Sequence, residues 1–128
     1  MIFLVDTHAI IWFITDDKKL PKVTKELIEN KEHTCYVSIA SLWEIAIKFS
    51  LGRLLIHEEL KNIFQTIEES GFEILPITSI HLLKIAELPF HHQDPFDRII
   101  IAQSIVEDIN VITKDEQYEK YQIKLNWK

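Results

Sequence analysis

Four acidic residues, Asp6, Glu44, Asp97 and Asp115, are placed along this chain where their carboxylates could converge. Asp6 ends an apolar run from Ile2 to Val5, and Asp115 follows the run Val111 to Thr113. Glu44 and Asp97 fall in the first turns of helices that follow a strand or a loop. In an open α/β sheet such positions meet at the carboxyl ends of the strands. Like charges gathered in a low-dielectric site repel, so a fold that collects them without matching Lys or Arg normally holds a cation. Ligands that are all oxygen select Mg²⁺ or Mn²⁺ over zinc. The expected chemistry is phosphodiester hydrolysis: such an ion makes hydroxide available at neutral pH and places positive charge where phosphoryl oxygens become more negative.

The elements that must position these acids follow from periodicity. Ile2 to Val5 reads as a buried strand, and Ile10, Ile11, Trp12 and Ile14 suit the packed helix after it. Pro21 and Thr24 open a second helix that ends in the polar segment Glu29 to His33, and Cys35 to Ser38 follows as a strand. Ser41-Leu-Trp-Glu44 matches a capping box, which predicts a helix with Glu44 in its first turn and Gly52 as its stop. Residues 58–70 form an amphipathic helix through Leu60, Ile63, Phe64 and Ile67, closed by Gly71, before a strand from Phe72 to Leu75 and a helix from Ser79 to Leu88. In Asp94-Pro-Phe-Asp97, Asp94 is the cap, Pro95 the first helical residue and Asp97 a first-turn acid. Asn110 ends that helix, Val111 to Thr113 is a strand, and Ile123 to Leu125 adds an edge strand. Strands alternating with helices imply a parallel sheet covered on both faces.

Each acid also has a local explanation. Glu44 can be the far end of its capping box, Asp97 an acid favoured by the helix dipole, Asp115 the cap of a short turn before Tyr118, and Asp94 a plain N-cap. Asp6 resists this treatment, because an acid directly after a buried strand has no local role and is expensive to bury alone.

The chain has 128 residues, 47% of them apolar, enough for one domain spanning 1–128 with one core. The stretch from Met1 to Phe13 lacks the basic start and small-residue cleavage site of a signal peptide. No apolar run approaches the roughly 20 residues of a membrane span. Cys35 is the single cysteine, so no internal disulfide can form. A cytoplasmic protein with no membrane partner is the expectation. The net charge of −6 argues against a nucleic-acid partner unless part of it is concentrated where a divalent cation reverses the local field.

Leu4-Val-Asp6-Thr-His8, Ser38-Ile-Ala-Ser41-Leu-Trp-Glu44-Ile-Ala-Ile-Lys48, Asp94-Pro-Phe-Asp97-Arg98-Ile-Ile-Ile-Ala102-Gln103 and Ile112-Thr-Lys-Asp115 together resemble the PIN-domain family, specifically the VapC-like toxins of bacterial and archaeal toxin–antitoxin pairs. The match runs from Phe3 to about Tyr121. It implies a three-layer α/β/α sandwich with a mostly parallel central sheet, and Asp6, Glu44, Asp97 and Asp115 as the family's acidic quartet, complete in this chain. Asp94 is a secondary acid of the branch carrying Asp-Pro-Phe-Asp-Arg. The resemblance further implies an endoribonuclease leaving 5′-phosphate and 3′-hydroxyl ends, a homodimer, and a cognate antitoxin that blocks a groove near the acids. Asp6 and Asp97 are the expected direct ligands of Mg²⁺ or Mn²⁺, with Glu44 and Asp115 as ligands or holders of its water.

Two other functions compete. A phosphotransfer domain with Asp6 as phosphoacceptor needs a second acid two residues away or a strand-end Lys, but His8 stands at the first position and no lysine clearly fills the second. A catalytically silent protein-binding module of the same fold, whose acids keep a cation for structure, suits the acidic charge but leaves an intact quartet unexplained.

Among flanking residues, Thr7 and Thr113 can orient a carboxylate or touch phosphate but are read first as turn-forming hydroxyls, and His91 and His92 as a solvent-facing loop that can contact RNA. Lys48 is read as an ion-pair partner of Glu44. Arg98, Lys18, Lys19, Lys22, Lys25 and Lys114 are candidate phosphate contacts or plain solvated charges. Trp12, Phe13, Trp43 and Phe96 are read as core or interface aromatics.

Overall fold

In the computed structural model, which describes residues 1–121 and 123–126, the short apolar runs become parallel strands. In chain order the elements are β1 (Ile2–Val5), α1 (Thr7–Ile14), α2 (Lys22–Glu29), β2 (Thr34–Ser38), α3 (Ile39–Ser50), α4 (Leu60–Glu69), β3 (Glu73–Leu75), α5 (Ser79–Glu87), α6 (Pro95–Glu107), β4 (Asn110–Ile112), a 3₁₀ helix (Glu116–Tyr121) and β5 (Leu125–Asn126). The five strands lie in the order β3-β2-β1-β4-β5, and every pairing is parallel.

Side chains alternate across a strand, and here the alternation separates two cores. Phe3 and Val5 of β1, Cys35 and Val37 of β2 and Ile112 of β4 face Ile10 of α1, Ile28 of α2, Ile45 of α3 and Ile63 and Ile67 of α4. Leu4 and Val111 face the other way, onto Ile100 and Ile101 of α6, Leu88, Tyr118 and Tyr121. The architecture is therefore the α/β/α sandwich expected. Phe3, Leu4 and Val5 are fully buried, and burial of such side chains contributes about 2 kcal/mol each. No described helix is long and apolar enough to cross a membrane.

Register decides what meets at the carboxyl edge. Val5 pairs with Val37 on one side and Ile112 on the other, so β1, β2 and β4 end together. The chain runs from β1 to β2 and β3 and then crosses back to β4, which places the reversal between β1 and β4. Crevices form at such reversals, outside the strand ends.

Several local expectations shift. Helix α3 starts at Ile39, because Ser38, the last residue of β2, is extended and its hydroxyl accepts the Ala40 N–H at 3.1 Å. The capping box at Ser41 does not form. Ser41 lies inside the helix, where its buried hydroxyl oxygen accepts from Thr7 Oγ1 at 2.9 Å, and Glu44 moves to the second turn. Helix α6 ends at Asp108 in the left-handed conformation, φ 54°, so Asn110 opens β4 instead of breaking the helix. The last strand begins at Leu125, later than the periodicity suggests. Trp43 is 62% exposed, packed edge-on against Phe96 and outside the core.

Candidate active site

Asp6 is the residue after β1, and its backbone extends the sheet ladder by donating to the Ile112 carbonyl at 3.0 Å. Its side chain caps α1, Oδ1 accepting the Ala9 N–H at 2.8 Å, so it has a local role as well. The other oxygen, Oδ2, accepts from the hydroxyl of Thr113, which sits one residue past β4 in the neighbouring register position. Thr113 Oγ1 in turn accepts the Asp115 N–H at 3.0 Å, so one hydroxyl both shapes the turn and orients the carboxylate. Burial pushes the Asp6 carboxyl above its ordinary range, against the lowering pull of these two hydrogen bonds, and Asp115 adds to the rise.

Asp97 approaches the same crevice from α6. That helix begins where Asp94 Oδ1 accepts the N–H groups of Phe96 and Asp97, at 2.9 and 3.2 Å, with Pro95 in the first position. Asp94 is therefore the cap, and Asp97 is free of that duty. The Asp97 carboxyl is raised to about 7, first by burial and then by the nearby charges of Asp94, Asp115 and Glu44, while a hydrogen bond from Tyr118 lowers it. The Tyr118 hydroxyl donates to Asp97 Oδ1 at 2.9 Å and is itself fully buried. Burial first, and the charges of Asp6, Asp97 and Asp115 next, hold its phenol well above the usual tyrosine range.

Glu44, largely buried, reaches Lys48 at 3.4 Å, the i,i+4 pair read from the sequence. The quartet is thus not wholly without a basic neighbour. Among the described residues, no Lys or Arg pairs with Asp6, Asp97 or Asp115. The Asp115 carboxylate accepts the Gln117 N–H at 2.9 Å and caps the 3₁₀ turn. The four acids thus lie within one another's electrostatic reach, joined through Asp97 and Tyr118. Among the described residues, however, no three His, Cys, Asp or Glu side chains stand as a ready-made metal group. Hydroxyls from Thr113 and Tyr118 and the Lys48 ammonium occupy the carboxylates instead.

The mouth of the crevice is lined by Asp6, His8, Trp12, Lys114, Asp115 and Gln117. Lys114 and Lys19 each approach the Trp12 ring to 6.0 Å, and His8 tilts against it at 5.9 Å. Trp12 is half-buried at this rim as well as packed on the core.

Arg98 is not a phosphate contact. It is 5% exposed, and its guanidinium donates to the carbonyls of Ile85, Leu88 and Pro89 and to the Tyr121 hydroxyl, with Phe90 stacked 4.2 Å from its centre. His91 is exposed, whereas His92 is not on an open loop: its Nδ1 lies 2.8 Å from the Tyr121 hydroxyl and its Nε2 3.5 Å from Asp97 Oδ2. Thr7 is a buried link between α1 and α3 and makes no turn. Sequence reasoning did not single out Tyr118 or Tyr121. Their position in a short segment, three and six residues after Asp115 and with no apolar period, carried the only signal.

The PIN domain family model matches residues 3–124. Among solved structures, the chain resembles VapBC2 from Rickettsia felis bound to a DNA fragment from its promoter, with a TM-score of 0.74, 17% identity and all of both chains covered. It resembles VapBC-1 from nontypeable Haemophilus influenzae at a TM-score of 0.70 and 14% identity, over 98% of this chain and 97% of that one. A third likeness is to VapBC-5 of Mycobacterium tuberculosis, a member of the VapBC family of toxin–antitoxin systems, at 0.63 and 16%, over 99% and 98%. No curated protein matches the sequence.

Proposed function

The chain belongs to the PIN domain family, and from that premise we propose that it is a divalent-metal-dependent endoribonuclease, the toxin of a toxin–antitoxin pair. The observation that carries this reading is the pair of acids withdrawn from water without a Lys or Arg partner among the described residues, Asp6, buried after β1, and Asp97, half-buried on α6, both with carboxyls pushed upward and both close to Asp115. A fold keeps such strained charges where a cation is to be bound. The donors fit: they are all oxygens, and nearby hydroxyls already orient them.

Asp6 and Asp97 would hold Mg²⁺ or Mn²⁺, with Glu44 and Asp115 as further ligands or as acceptors for water, and Asp94 in a secondary role. When bound, the ion supplies an activated water and positive charge for the phosphoryl oxygens. Asp6, buried and hydrogen-bonded at both oxygens, offers a rigid carboxylate at the edge of the crevice. Lys114, over the Trp12 ring at the crevice mouth, places a cation where an RNA phosphate can be met. A cognate antitoxin is proposed with this reading, since VapBC-5, which the chain resembles, is a member of a family of toxin–antitoxin systems; the homodimer is proposed from the family resemblance alone.

The test is cleavage of total cellular RNA by purified protein with Mg²⁺ or Mn²⁺ and with chelator, beside Asp6→Asn. Metal-dependent fragments absent from the variant are expected. Wild-type protein without cleavage under any of these conditions, and without toxicity on expression, would turn the reading towards a silent binding module.

A further inference from the structure

Asp97 is approached at each of its oxygens by a different aromatic side chain. At Oδ1 the Tyr118 hydroxyl donates at 2.9 Å. At Oδ2 stands His92 Nε2, at 3.5 Å, buried and without a hydrogen-bond partner. Which hydrogen His92 carries follows from its far side. The Tyr121 hydroxyl oxygen receives Arg98 Nη1 at 3.2 Å and the His92 backbone N–H at 3.3 Å. Its own proton is therefore directed outward, and its nearest acceptor is His92 Nδ1 at 2.8 Å, well inside the 3.5 Å to the His92 carbonyl. A ring that accepts at Nδ1 carries its hydrogen at Nε2, the atom aimed at Asp97.

Arg98, the next residue after Asp97, thus acts on it by the long way round, through Tyr121 and His92. The anchor is stiff, because Arg98 is held by backbone carbonyls at the end of α5 and just after it. Resting on the reading of Asp97 as a cation ligand, we propose that Tyr118 and His92 are positioning residues that clamp its two oxygens and present them to the ion. Outer partners of this kind fix the orientation of a ligand, and their loss weakens metal binding by about 10-fold or more. The His92–Asp97 contact, at 3.5 Å, is longer than a hydrogen bond, so the clamp is direct at Oδ1 and an approach at Oδ2.

Mn²⁺ alone, titrated calorimetrically into the purified full chain, reads the clamp without reference to RNA. Tyr118→Phe and His92→Ala should each weaken Mn²⁺ binding about 10-fold. His92→Gln, which keeps an N–H donor at the place of Nε2, should recover most of that loss, and Tyr121→Phe, which releases the tautomer while leaving both clamping side chains, should show a smaller loss. Unchanged affinity in both Tyr118→Phe and His92→Ala overturns the clamp, as does a His92→Gln variant no better than His92→Ala. Wild-type protein that binds no Mn²⁺ overturns the clamp together with the metal reading, and is told apart because the failure is then in the wild type. Thermal melting of each variant shows whether it folds, and Tyr121→Phe keeps the test open should Tyr118→Phe not.

Discussion

Asp97 and Arg98 are chain neighbours on one helix, both ionisable, one half-buried and the other buried, yet they are treated in opposite ways. Arg98 is surrounded by carbonyl oxygens, a tyrosine hydroxyl and an aromatic face, so its donors are answered and its burial stabilises the turn between α5 and α6. Asp97 has one hydrogen bond from Tyr118, and the acids Asp94, Asp115 and Glu44 press on it. A satisfied buried charge is structural, whereas one left among like charges is kept at a cost to stability, which is what the proposed metal-binding role of Asp97 would account for.

The largest effect that would sharpen this contrast is on Arg98. Arg98→Met would leave several carbonyls and the Tyr121 hydroxyl without their donor, a loss of about 4 kcal/mol in unfolding free energy. Denaturant melts check it; a loss near zero would place Arg98 with the site instead of the scaffold. Asp97→Asn should do the reverse: RNA cleavage falls on the order of 100-fold or more, while metal-free melting temperature holds or rises. A marked drop in that temperature would break the comparison, since Asp97 would then be a structural acid.

The third effect is on pH. In the folded, metal-free protein Asp97 titrates at about 7 against an ordinary 3.8, so between those values the native state holds a proton that the unfolded chain has released. This acid's contribution therefore falls as pH rises towards 7 and is gone as a penalty below about 4. Asp6 is shifted in the same direction. The melting temperature of Asp97→Asn relative to wild type should rise between pH 5 and pH 8, and added Mg²⁺ should shrink the gap. The smallest effect separates Ser38, the cap of α3, from Ser41 inside the helix. Ser38→Ala removes the cap and should cost about 1 kcal/mol. Ser41→Ala removes the partner of Thr7, and should leave the start of the helix, followed by hydrogen exchange of the Ala40 amide, as it was.

Much of this was legible beforehand for one reason: periodicity and strand ends are properties of short segments. Asp6 after an apolar tetrad and Asp97 three residues after a capping acid were readable as site candidates because their neighbours in sequence are also their neighbours in structure. Ser41 misled because its spacing to Glu44 copies a capping box, whereas the strand carries directly into the helix through Ser38. Arg98 and His92 misled because a charged or imidazole side chain on a polar segment looks solvated until another helix covers it.

The alternation of apolar residues determined by itself that this chain forms a parallel α/β sheet, and the acids following its strands determined what chemistry to look for. Only the tertiary structure decided which groups answer those acids. Thr113 meets Asp6 from 107 residues away and Tyr118 meets Asp97 from 21, through strand register and helix packing. Such pairings depend on how separate segments are brought together in space, and no local spacing records it.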